Sequence, residues 1–136
     1  MTFSFKRHTT ATSELLVATA TRFLVAEEVD VESEADELSF QNGTVFLRMS
    51  FEPFQLISSG RISWSIMEGG LDLHYRVDAS PVWLFLPVFM LIGMVSHWTA
   101  GCALAIFLIL VKFIQQRAWF MSLVSALGTY QTRVEQ

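Results

Sequence analysis

The chain has 136 residues, 52% of them hydrophobic and only 16% charged, which is too apolar and too charge-poor for an ordinary soluble domain of that size. The formal net charge is −4, and the acidic cluster from Glu27 to Glu37 (Glu27, Glu28, Asp30, Glu32, Glu34, Asp36, Glu37) argues against nucleic acid as a partner, because phosphate binding needs a basic surface. The single cysteine, Cys102, excludes an intramolecular disulfide and any multi-cysteine metal site.

The apolar excess is unevenly spread. Residues 1–79 carry most of the charged side chains in soluble-looking alternation, whereas Val82 to Val111 holds no formally charged residue. Two solvents are implied. The first ten residues contain Lys6, Arg7 and His8 but no apolar run behind a basic region, so they are not read as a signal peptide.

Thr2 to Arg7 alternates, with Phe3 and Phe5 on one side, as a short strand does. A helix follows, capped by Thr12 or Ser13. Its stripe of Leu16, Ala20, Phe23, Leu24 and Glu27 recurs at helical spacing, and it is expected to run to about Glu28. From Val29 the period becomes two, giving a strand whose Asp30, Glu32, Glu34 and Asp36 face water.

Two hairpins are then expected. Asn42-Gly43 suits a type I′ turn, which needs positive φ at both central residues, and would pair Phe40 with Val45 and Leu38 with Leu47. Gly69-Gly70, taken as a two-residue loop, would pair Ile66 with Leu73, Trp64 with Tyr75 and Ile62 with Val77. The other face of that hairpin would pair Ser65 with His74, Ser63 with Arg76 and Arg61 with Asp78 as an ion pair. Between the hairpins, Phe51 to Gly60 reads as a loop. Its Phe54, Leu56 and Ile57 would either touch the bilayer or close the end of the core. The expected order is strand, helix, then four strands in two hairpins, with the helix on the apolar face. About 80 residues is near the lower limit for a self-sufficient core.

Pro81 follows the last strand closely, which leaves no flexible linker before the apolar run. As a single helix, residues 82–111 would measure about 45 Å, well beyond the roughly 30 Å hydrocarbon core. The polar cluster Ser96-His97-Trp98-Thr99, followed by Gly101, is the natural break. It divides the run into helices over Ser80 to Ser96 and Ala100 to about Phe113. A hairpin also keeps Arg76, Lys112 and Arg117 on one side, as the positive-inside tendency favours, and makes both termini cytoplasmic. Trp83, Trp98 and Trp119 fall near the ends of the spans, where indoles prefer the headgroup layer. A single tilted span and a peripheral protein are the alternatives.

Phe113 to Leu127 keeps a helical stripe of Phe113, Phe120, Val124 and Leu127, widened by Trp119, Leu123 and Ala126. It either continues the span or bends into the interface. Gly128 is expected to end it, before a polar tail. The fold class expected is thus an α+β membrane protein: a small antiparallel sheet with one helix, a transmembrane helical hairpin and a C-terminal amphipathic helix. Its parts are a water-facing domain (1–79), the hairpin (80–113) and an interfacial helix with polar tail (114–136).

Chemistry is scarce in the sequence. There is no glycine-rich phosphate loop, no paired Cys or His at metal spacing, and no nucleophile with a base nearby in sequence. His8, His74 and His97 fall on three different elements. The segment Gly93-Met94-Val95-Ser96-His97 has a small residue four positions before a histidine. In this it resembles the tetrapyrrole-ligating helix of light-harvesting polypeptides. That resemblance implies a continuous helix on which His97 binds a pigment or haem. Gly93, Ser96, Ala100 and Gly101 are also small enough to let helices approach closely, within the hairpin or against a partner. The leading expectation is a non-enzymatic accessory or scaffold subunit of a larger membrane complex, with membrane lipid and other membrane subunits as partners. The alternative is a tetrapyrrole-binding subunit of photosynthetic or electron-transfer machinery using His97, and a membrane-associated enzyme comes third.

Overall fold

The computed structural model describes residues 1–42 and 57–134. In chain order they form β1 (Thr2–Thr9), α1 (Ser13–Ala26), β2 (Asp30–Ser33), β3 (Glu37–Gln41), β4 (Ser59–Met67), β5 (Gly70–Asp78), a 3₁₀ helix (Ser80–Phe85), α2 (Leu86–Val95) and α3 (Trp98–Val134). The fold is α+β, built on a small antiparallel sheet with one long apolar helix.

The strands lie in the order β1-β5-β4-β3-β2, every neighbouring pair antiparallel. α1 therefore carries the chain across the sheet from one edge strand to the other. Its start is as expected: the Thr12 hydroxyl accepts from the Leu15 N–H at 3.3 Å and satisfies an otherwise orphan donor. Its end uses no glycine. Glu28 takes φ 58°, its N–H reaches the Val25 carbonyl at 3.0 Å, and the Val29 N–H reaches the Leu24 carbonyl at 3.5 Å. This is a Schellman ending, with both Leu24 and Val29 buried in the core.

The β4–β5 hairpin forms with the expected faces but a different register. Met67 pairs with Gly70, Ile66 with Leu71, Trp64 with Leu73 and Ile62 with Tyr75, so the loop is Glu68-Gly69, two registers away from a Gly69-Gly70 turn. A shift of two leaves every side chain on its original face, which is why the apolar matching holds. The backbone explains the choice: Gly69 has φ 83° and Gly70 φ 155°, and a Cβ on Gly70 would run into the Thr9 carbonyl of β1. The shift corrects the Arg61–Asp78 ion pair. Arg61 faces Arg76 across the strands and bonds Glu37 instead, Nε to Oε1 at 3.0 Å. Asp78 meets the N-terminal amino group of Met1 at 3.8 Å.

β3 is flanked by β2 on one edge and β4 on the other, and Val45 and Leu47, the partners expected for Phe40 and Leu38 from Asn42-Gly43, lie outside the described residues. The rest of that hairpin, and Phe54 and Leu56, lie outside the described residues. Ile57 is fully buried in the core and does not face a bilayer.

The largest departure is α3. It runs unbroken for 37 residues, through Gly128, so no separate interfacial helix begins at residue 114. Its second half lies beside α1 on the apolar face of the sheet, burying Gln116, Trp119, Phe120, Leu123 and Leu127. Tyr75 stacks on Phe120 with ring centroids 5.2 Å apart, and Phe23 of α1 meets Trp119 edge-on at 6.3 Å. A core this size, built from two helices and five strands, answers the size problem that one helix on a sheet would leave.

Candidate functional site

Two features stand outside the core: the arm made by α2 and the first half of α3, and the polar outer face of the sheet.

The arm folds back on itself at Ser96-His97. The Ser96 N–H and hydroxyl both bond the Ile92 carbonyl, at 3.0 Å and 2.9 Å, closing α2. The Ala100 N–H bonds the His97 carbonyl at 2.9 Å and opens α3. The expected break is therefore present and tighter than expected, since Trp98 and Thr99 already belong to α3. Gly93 and Gly101 form the crossing point. A Cβ at Gly101 would lie 3.1 Å from the Gly93 Cα and 2.5 Å from the Phe89 carbonyl oxygen, whereas one at Gly93 would lie 3.5 Å from the Gly101 Cα. Small residues thus serve the approach of α2 to α3, with most of the demand on Gly101. A groove of about 190 Å³ beside them is lined by Leu86, Phe89, Met90, Trp98, Cys102 and Ala105.

The outside of the arm is apolar on all sides. Leu91, Met94, Val95, Ile106, Phe107 and Leu110 are all more than half exposed, a continuous apolar surface of a kind that water-facing domains rarely carry. Among the described residues one helix, over Trp98–Thr129, is long and apolar enough to cross a membrane; Ser80–Val95 is shorter. Two transmembrane helices are thus not both present by length. The C-terminal half of the longer stretch packs against the sheet, so the exposed apolar part is the half before Lys112.

Of the three tryptophans expected at headgroup level, Trp83 and Trp98 are exposed at the two ends of the α2 arm, while Trp119 lies in the core against Tyr75 and Phe23. Its place in the helical stripe, rather than its distance from the apolar run, was the deciding signal. His97 is exposed in the turn. The resemblance to a tetrapyrrole-ligating helix needs Gly93 and His97 on one continuous helix with space beside the glycine. α2 ends at Val95, and the space beside Gly93 is filled by Gly101. The arrangement does not fit a flat ring ligated at His97.

The outer sheet face holds pairs that sequence spacing hides. His8 Nδ1 lies 2.8 Å from Asp72 Oδ1, and Ser4 Oγ lies 2.7 Å from His74 Nε2. They arise because β1 pairs with β5, setting His8 opposite Asp72; only the alternation of Thr2–Thr9 and Gly70–Asp78 hints at them. His8, Asp72 and His74 line an open trough of about 540 Å³ with Lys6, Ser63 and Ser65. The serine and the carboxylate belong to different histidines, so no serine–histidine–carboxylate relay is assembled. Among the described residues no three His, Cys, Asp or Glu side chains converge as a metal site.

No family model, curated protein or solved structure matches this chain.

Proposed function

We propose that the protein is a non-enzymatic accessory or scaffold subunit of a larger integral membrane assembly, its α2–α3 arm in the bilayer and its sheet domain at the surface. One observation carries the reading: α3 is shared without a break between the apolar arm and the sheet core. A domain joined by a flexible linker would sample many orientations, whereas a helix common to both parts holds the domain at one angle to the membrane. That is the property a positioning subunit uses.

The charges favour the domain side as cytoplasmic, in an inner or plasma membrane. Arg76, Lys112 and Arg117 all lie at the domain end of the arm, and the turn carries only His97. Both termini then lie on the cytoplasmic side. The glycine pair is consumed inside the arm, so lipid and helices of neighbouring subunits meet the exposed Met90, Leu91, Met94, Ile106 and Phe107.

Extraction and purification test this. The chain should stay with membranes through a carbonate wash, require detergent, and co-elute in mild detergent with other membrane chains at constant stoichiometry, without a pigment or Soret band. Elution alone from native membranes in several mild detergents would overturn the scaffold reading.

A further inference from the structure

We infer that the arm is built to cross a bilayer thinner than average. The inference rests on the membrane reading above and adds the kind of lipid surface it fits.

Polar groups bound the arm at both ends. At the domain end, Asp78 holds Ser80 through the Ser80 N–H (3.0 Å) and hydroxyl (3.1 Å). On the other strand of the arm, the Lys112 ammonium donates to Gln115 Oε1 at 3.0 Å. At the far end stand Ser96 and His97. Between these limits run Val82–Val95 and Trp98–Val111, fourteen residues each. At about 1.5 Å per α-helical residue the second is about 21 Å long, and the 3₁₀ opening of the first stretches it to about 23 Å. The hydrocarbon core of an ordinary bilayer is about 30 Å. The exposed indoles of Trp83 and Trp98 mark the two ends of the same short interval.

The arm cannot lengthen itself. Sliding α3 outward would pull Gln116, Trp119 and Phe120 from the sheet core, where each is buried. Nor does the turn suit the hydrocarbon interior, because exposed non-helical backbone and an exposed imidazole are not solvated there. Residence where the bilayer is already thin is the accommodation left, because thinning a thicker one costs free energy for every ångström of mismatch.

The test uses the full chain carrying Thr99→Cys and Cys102→Ala, both at exposed positions. It is reconstituted into phosphatidylcholine vesicles whose monounsaturated chains have fourteen, eighteen or twenty-two carbons. A membrane-impermeant maleimide is supplied on the side opposite the sheet domain. Labelling should be fast in the shortest lipid and slower by about tenfold or more in the longest. Equal labelling in all three, or none in any, overturns the inference while leaving membrane insertion standing. Failure to float with vesicles of any composition, or labelling only from the domain side, overturns the membrane crossing itself.

Discussion

The Tyr75 hydroxyl, buried beneath α3, donates a 2.6 Å hydrogen bond to Oε1 of Gln116, a residue 41 positions away in the chain. It is a polar tie between the inner strand β5 and the long helix. In an apolar core such a bond specifies how the helix sits, because any other rotation strands both groups. Tyr75→Phe should cost about 1–2 kcal/mol, most of it from the buried amide that loses its donor. A double-mutant cycle with Gln116→Met, measured by denaturation in mild detergent, should return a coupling of about 1 kcal/mol. A coupling of zero would mean that α3 is oriented by apolar packing alone.

The same phenol sets a high-pH limit. Burial, and secondarily the Glu27 carboxylate, hold the Tyr75 pKa well above its ordinary value of 10.0. Below pH 10 the phenol is protonated folded or unfolded, so it contributes no pH dependence. Above it only the unfolded chain releases the proton, and stability falls by up to about 1.4 kcal/mol per pH unit until the folded-state pKa is reached. In an alkaline titration, tyrosinate absorbance from Tyr75 should appear together with unfolding rather than before it. Tyr75→Phe should flatten the loss of stability with pH.

The glycine crossing makes an asymmetric prediction. Gly93→Ala places its methyl at ordinary contact distance from Gly101, whereas Gly101→Ala drives one into the Phe89 carbonyl and the Gly93 backbone. The first should change stability by about 1 kcal/mol or less, and the second should splay the arm at a cost of about 1–3 kcal/mol. Comparing their unfolding in detergent checks this. Equal effects would show that α2 and α3 do not meet at this point.

On β4, neighbours face opposite sides. Trp64 is buried and Ser65 exposed. Trp64→Asp should cost more than about 3 kcal/mol, combining a lost aromatic with a buried charge. Ser65→Asp should cost under about 1 kcal/mol, from repulsion with Asp72 directly across the ladder. Thermal unfolding of the two variants distinguishes them.

What could be read in the chain follows the range of the interaction involved. Alternation and helical spacing are local, so α1, its Thr12 cap, the faces of β4 and β5 and the Ser96-His97 break were all legible. Register was not, because slips of two preserve the faces; only the close approach of Gly70 to β1, a partner distant in sequence, decides it. The pairing of β3 with β4, a strand much further along the chain, was likewise not legible. Gly128 was a misleading stop. Its helix continues because the turns before it are anchored by Leu123 and Leu127 in the core, and packing outweighs the roughly 1 kcal/mol that a mid-helix glycine costs. Conversely, α1 ends at Glu28 without the glycine that usually marks such a site. On the outer sheet face, the His8–Asp72 and Ser4–His74 pairs depend on β1 lying beside β5, a fact of topology.

The shared helix also dictates an order of events during synthesis. The strands and α1 come from residues 2–78, but Phe120, Leu123 and Leu127, which cover their apolar face, are made after them. A chain emerging N-terminus first therefore leaves Tyr75 and Phe5 without their cover until α3 has been made and has docked on the sheet. Docking of α3 is in this way what shields the sheet face from chaperones and proteases, and a chain interrupted before Phe120 leaves that face open.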